Sequence, residues 1–173
     1  AKASDEPTTN GLHAHSWVAG TGACCHQSGH SWGAFPAQWA HGCRGMKLQP
    51  YVQVDGAPFT LTRDQLHRRP GAPWRGSRKG VGLTELDYGD VVYRFQDSGR
   101  LEEITRQAKV LHLGNVGAPF VRLGGLGRTQ DAQTFERAGF VVSPRFGLAF
   151  DPLQPFWVTA LAQHCLPEWQ RLG

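Results

Sequence analysis

The side chains of this chain best suited to chemistry gather near its start. Cys24, Cys25, His26, His30, His41 and Cys43 offer sulfur and imidazole nitrogen, the donors that zinc and copper prefer. The Cys-His-x3-His run followed by His41-x-Cys43 holds enough ligands to close a tetrahedral site. Its pairs lack the C-x2-C spacing of common zinc modules. A second group is acidic: Glu85, Asp87, Asp90, Asp97, Glu102 and Glu103. Two carboxylates brought together can exchange protons with a substrate. Strand edges and turns are nevertheless where solvated carboxylates usually sit, and charges there discourage edge pairing, so this set reads first as surface. His164 and Cys165 are sequence neighbours, which point apart on a strand and do not face each other on a helix. They do not read as a catalytic pair, and Cys165 reads as a small packing residue. Ser98 and Ser143 lack a G-x-S-x-G surround. The glycine-rich run from Gly124 lacks the G-x4-G-K-[ST] order of a phosphate loop and reads as a loop before a helix.

A third group could bind without reacting. Trp74, Arg75, Arg78 and Lys79 lie in the run WRGSRKGVG, which reads as a polar loop between a helix and a hairpin. It is either a solvated connection or a surface that meets an acidic partner, since His67, Arg68 and Arg69 add to its charge. An exposed Trp74 beside Arg75 and Arg78 would be a binding anchor, with Tyr88 a further contact.

These groups need elements to position them. The clearest is Tyr88 to Arg106, YGDVVYRFQDSGRLEEITR. Val91, Tyr93 and Phe95 alternate with Val92, Arg94 and Gln96, which predicts a strand. Asp97-Ser98-Gly99 supplies turn chemistry. Leu101 and Ile104 follow at an odd spacing that predicts a bulge or a short twisted strand. Before this hairpin, Tyr51–Val54 reads as a strand closed by Asp55-Gly56. A short helix then opens at Thr62, with Gln65 completing a capping box, and stops at Pro70-Gly71. After the hairpin, Val110–Leu113 reads as a strand. Gly117-Ala118-Pro119-Phe120 repeats the tetrapeptide found at Gly56. A second helix is expected from Gln130 to Ala138 with Thr129 as its cap, followed by strands at Phe140–Val142, Phe146–Phe150 and Phe156–Leu161. The order of strand, turn, GAPF, short helix and strands therefore appears twice.

Composition bounds the rest. The chain has 173 residues, 22 glycines, 11 prolines, six tryptophans and a formal charge of +4. That length suits one domain, or two small units sharing a core. The charge is sparser than a dedicated nucleic-acid face needs, so a nucleic-acid partner is not expected. No apolar run approaches the ~20 residues of a membrane span, and no membrane partner is expected. Residues 1–45 contain five of the eight histidines and three of the four cysteines, and Leu12 and Val18 are their only branched aliphatics. They cannot build an aliphatic core. This segment reads as a flexible extension, as a metal site, or as residues upstream of a natural start at Met46. The remainder, 46–173, reads as a single α+β domain of two units, about 46–113 and 114–173. An irregular cysteine pattern makes the cytoplasm the default compartment.

From Pro50 to Leu161 the pattern resembles small bacterial immunity proteins encoded beside polymorphic, Rhs-type or type VI secreted toxins. The residues that carry this are Val54-Asp55-Gly56, Thr62-Arg63-Asp64, Gly71-Ala72-Pro73, Val92-Tyr93-Arg94-Phe95 with Asp97-Ser98-Gly99-Arg100-Leu101, and Phe146-Gly147-Leu148-Ala149-Phe150 before Trp157-Val158. The Thr-Arg-Asp helix ended by Gly-Ala-Pro is also similar to the repeat of β-lactamase inhibitory proteins. The resemblance covers about two-thirds of the chain and none of residues 1–45, and its motifs are structural. It implies an antiparallel sheet built from two tandem helix-plus-strands units, with helices on one face. It also implies a protein that blocks a cognate toxin encoded nearby, with no cofactor and no catalysis of its own. The alternative is a small metal-dependent hydrolase or transferase using the Cys/His cluster or the hairpin carboxylates.

Overall fold

The computed structural model describes residues 45–68, 71, 73, 75–79 and 82–171. The fold is α+β, rich in strands and poor in helix. It grows from the hairpin of β6 (Val91–Gln96) and β7 (Leu101–Gln107). Tyr93 and Phe95 are buried at 8% and 0% exposure, and Val91 packs beside them, so alternation in β6 selects the core side as expected. Leu101 pairs with Phe95 but Glu103 pairs with Arg94, which leaves Glu102 as the extra residue of a bulge. That bulge explains the spacing of Leu101 and Ile104. It lets both reach one core although three positions separate them.

Two sheets result. The larger has eight strands in the order β10-β11-β12-β13-β7-β6-β5-β4. It consists of two consecutive meanders. One comprises β4 (Arg75–Lys79), β5 (Leu83–Asp87), β6 and β7; the other β10 (Phe135–Arg137), β11 (Phe140–Ser143), β12 (Leu148–Phe150) and β13 (Trp157–Leu161). They meet where β7 pairs antiparallel with β13. The smaller sheet, β3-β2-β1-β8-β9, has five strands. These are β1 (Met46–Gln49), β2 (Gln53–Val54), β3 (Ala57–Pro58), β8 (Val110–Leu113) and β9 (Val116–Pro119). All pairings are antiparallel except β1 with β8. A second sheet was not expected, because two of its strands are only two residues long and carry no periodicity.

Helix α1 (Arg63–His67) precedes the first meander. Its capping box is present: the Gln65 amide donates to Thr62 Oγ1 at 3.2 Å and the Thr62 amide to Gln65 Oε1 at 2.9 Å. Leu66 anchors it in the core at 2% exposure. Helix α2 (Leu123–Gln130) precedes the second meander, and here the expected boundaries are wrong. The glycine-rich run is the helix, and Phe135–Arg137 is a strand. Thr129 does not cap; its hydroxyl bonds back to the Gly125 carbonyl at 2.9 Å inside the helix. Asp131 ends α2 in extended backbone. The last helix, α3 (Leu166–Arg171), follows a 3-10 turn at Gln163–Cys165.

Around β11–β13 the larger sheet is covered on both faces. Val141, Leu148, Phe150, Val158 and Ala160 join the main core with Met46, Leu48 and Leu111 of the smaller sheet. Their sequence neighbours Val142, Ala149 and Leu161 belong to a second cluster with Ala162, Cys165 and Trp169, so α3 and its preceding turn close the opposite side. Consecutive strand residues point to opposite faces, which is why one strand feeds both cores.

Candidate functional site

Of the residues expected to bind a partner, Arg75, Arg78 and Lys79 lie on β4. The run is a strand rather than a loop. Its five positions pair with β5, from Arg75 opposite Asp87 to Lys79 opposite Leu83. An edge strand with no large apolar residue shows no periodicity, so its identity comes from its partner. The basic residues do not share one face, because Arg75 and Arg78 are separated by an odd number of positions. Arg75 is exposed, and Arg78 is 73% exposed at its side chain while donating to Asp97 at 2.6 Å across the turn. Trp74 lies outside the described residues, as do Cys24, Cys25, His26, His30, His41 and Cys43. Tyr88 is half-buried and packs its ring edge-on against Tyr93 at 5.8 Å, which makes it a core-rim residue.

Residues directly opposite each other on neighbouring strands share a face. On the side away from the main core this places Ser77, Glu85, Arg94, Glu103 and Leu161 in one row across five strands. Arg94 is the centre of that row. Its Nε donates to Glu85 at 3.0 Å, and its Nη1 reaches Glu103 at 3.4 Å and Thr105 at 2.6 Å. Thr105 in turn meets Thr159 hydroxyl to hydroxyl at 2.9 Å, across the β7–β13 junction. Trp169 of α3 donates its Nε1–H to Glu103 at 3.0 Å. Burial pushes the Glu103 carboxyl above the usual carboxylate range, against the opposing pull of Arg94 and the Trp169 donor.

The expectation that the acidic residues are solvated therefore fails at two positions. Glu102 and Glu103 are 7% and 2% exposed. The bulge sends these neighbours to different partners. Glu103 faces Arg94 and Trp169, while Glu102 faces the turn before α3. There its Oε1 lies 2.8 Å from His164 Nε2 and 2.9 Å from Arg100 Nε, and its Oε2 accepts from the Cys165 thiol at 2.8 Å. The same thiol lies 3.2 Å from the Glu102 carbonyl oxygen. Burial first, then the bond to Glu102, push the Cys165 thiol far above its ordinary value, so it stays protonated at neutral pH. Cys165 does pack in the second cluster as expected, at 4% exposure. The adjacent His164 and Cys165 also converge on one carboxyl, because a 3-10 turn rather than a strand or α-helix carries them.

A further polar node holds the end of α2. Asp131 Oδ2 accepts from Ser143 Oγ at 2.6 Å and the Arg145 amide at 2.8 Å, and Oδ1 from the Gln133 amide at 3.0 Å. Burial works to raise this carboxyl, but the three donors outweigh it and hold it below its ordinary value. Sequence reasoning missed Arg94, Glu102, Glu103, His164, Trp169 and Asp131 as network members. The one signal available was a pair of consecutive carboxylates, Glu102-Glu103, inside a segment otherwise read as a strand. Compared with protein-family models, with curated proteins and with solved structures, the chain matches none of them.

Proposed function

We propose that the chain is a protein-binding inhibitor, an immunity protein that occludes a cognate toxin encoded nearby. It acts in the cytoplasm through its surface, and the inhibition itself uses neither a cofactor nor a catalytic group of its own. The observation that carries this reading is the basic outer edge of the larger sheet. Among the described residues β4 is the last strand of the sheet, with no strand paired on its outer side, and it carries Arg75 and Arg78 exposed to solvent, with Lys79 at its end. Edge strands bind extended segments through main-chain hydrogen bonds, and positive charge selects an acidic surface and speeds encounter.

The tandem architecture implied by the resemblance belongs to the same reading. Each unit is a short helix followed by four consecutive strands: α1 with β4–β7, and α2 with β10–β13. The last strands of the two units pair with each other, with Thr105 opposite Thr159 at the middle of the contact. Antiparallel pairing of equivalent strands is what a local two-fold between repeated units produces.

The test is co-purification of the chain with the products of its neighbouring genes. The expected result is a complex with one of them that is weakened by about tenfold or more when Arg75→Glu and Arg78→Glu are combined, since like charges across an interface cost several kcal/mol. Arg75→Glu faces Asp87 and Arg78→Glu loses the exposed ion pair with Asp97. Each costs about 1 kcal/mol at an exposed site, so circular dichroism of the double variant must match the parent before its binding is read. Failure to bind any neighbour's product, or a complex indifferent to both substitutions, removes this reading.

A further inference from the structure

The geometry points to a zinc site formed by Glu102, His164 and Cys165, a function that does not rest on the inhibitor reading. One donor atom from each of the three lies within 4.8 Å of the others. Among the described residues they are the group of His, Cys and acidic side chains that could hold an ion. Zinc binds sulfur at ~2.3 Å and imidazole nitrogen or carboxylate oxygen at ~2.0–2.2 Å, which separates ligand atoms around a tetrahedral ion by roughly 3.3–3.8 Å. Glu102 Oε1 lies 2.8 Å from His164 Nε2 and Glu102 Oε2 lies 2.8 Å from Cys165 Sγ. Opening each contact by less than about 1 Å, within rotamer adjustment of three side chains, makes room for the ion.

The donor chemistry narrows the choice of metal. A thiolate with an imidazole suits zinc and not magnesium or calcium, which require oxygen. Three protein ligands leave the fourth tetrahedral position to water, the pattern of open zinc sites. Glu102 and Cys165 are buried at 7% and 4%, while the His164 side chain is 34% exposed and supplies the entry path. Arg100 opposes a cation here, with Nε 2.9 Å from Glu102 Oε1. Its side chain is 52% exposed, so it can keep that oxygen or withdraw into water, leaving Oε2 on the Cys165 side to face the metal. On binding, the Cys165 S–H bond breaks, the sulfur pair goes to zinc, and one proton leaves to solvent. The ion would then tie the turn before α3 to the bulge of β7.

The experiment is zinc titration by calorimetry on the full chain, repeated with cobalt for its thiolate-to-metal absorption. The parent should bind one zinc at this site. His164→Ala removes a half-exposed ligand without disturbing the core. It should weaken that binding by at least about 100-fold, the upper end of what loss of a ligand's outer partner costs. Cys165→Ser should abolish the cobalt–thiolate band of the site. The proposal is overturned if the parent takes up no zinc. It is equally overturned if stoichiometry, affinity and cobalt spectrum are the same in His164→Ala as in the parent, because the metal then sits elsewhere, for instance on the cysteines and histidines of residues 24–43.

Discussion

At the level of single residues, the most informative side chain is Asp131. It is 5% exposed and accepts three hydrogen bonds, from the Gln133 and Arg145 amides and from Ser143, itself 1% exposed. A carboxylate held below its ordinary value of 3.8 stabilises the fold wherever the unfolded chain is also ionised. The sign follows: the contribution is complete above about pH 5 and is lost as pH falls below 4 and through the folded value. Asp131→Asn replaces one acceptor oxygen with a donor. Whichever way the amide turns, a donor meets a backbone N–H or displaces the Ser143 bond. We expect a loss of ~1–3 kcal/mol at pH 7, the usual cost of an unmatched buried polar group. Urea denaturation at pH 7 and pH 3 checks both parts, since the gap between parent and variant should shrink in acid. A gap that stays constant between the two pH values would remove Asp131 from the acid-sensitive set.

At the level of elements, turn geometry separates two glycines that look alike in sequence. Gly99 in the β6–β7 turn has φ +84°, with nothing near the position a Cβ would occupy. Gly147, before β12, has φ +57°, and its Cβ would meet the Tyr51 ring at 2.8 Å. Tyr51 cannot easily yield, because its hydroxyl donates to the Pro144 carbonyl of the same turn. Gly99→Ala should thus cost only the left-handed backbone term, ~1–2 kcal/mol. Gly147→Ala should add an overpacking term for a total of ~2–4 kcal/mol. Chemical denaturation of the two variants side by side gives the comparison, and equal losses would show that the Tyr51 contact yields freely. This scale also shows what the sequence made legible. The hairpin, its bulge, the Thr62–Gln65 capping box and most later strands follow from alternation and turn residues, which act locally. Strand β4 does not, because Arg75–Lys79 has no apolar residue to alternate and is a strand only by pairing with β5. Helix α2 fails for the opposite reason. Its three glycines argue against helix, and the burial of Leu123 at 2% exposure outweighs that propensity. The candidate site was the least legible part. Arg94 with Glu103, and Glu102 with His164 and Cys165, are joined by strand register and a terminal turn, which single-residue patterns do not encode.

For the whole molecule, the decisive feature is that β7 and β13 serve both cores. Ile104 and Ala160 face the main core, while Leu161 opposite Glu103 faces the cluster closed by α3. Damage to either cluster should therefore be felt by the entire sheet. Trp169 is the place to test this. It is 4% exposed, stacks edge-on against Phe140 at 5.4 Å, and donates to Glu103. Trp169→Ala leaves a cavity and deprives a buried carboxyl of a donor, so the loss should fall at ~3–5 kcal/mol or somewhat above. If the shared strands couple the two cores, unfolding followed by far-ultraviolet and near-ultraviolet circular dichroism remains one coincident transition, moved to lower denaturant. Two separated transitions, with the β4–β7 meander persisting after α3 has detached, would mean that the C-terminal cluster is an independent unit and that the continuous sheet does not transmit its stability.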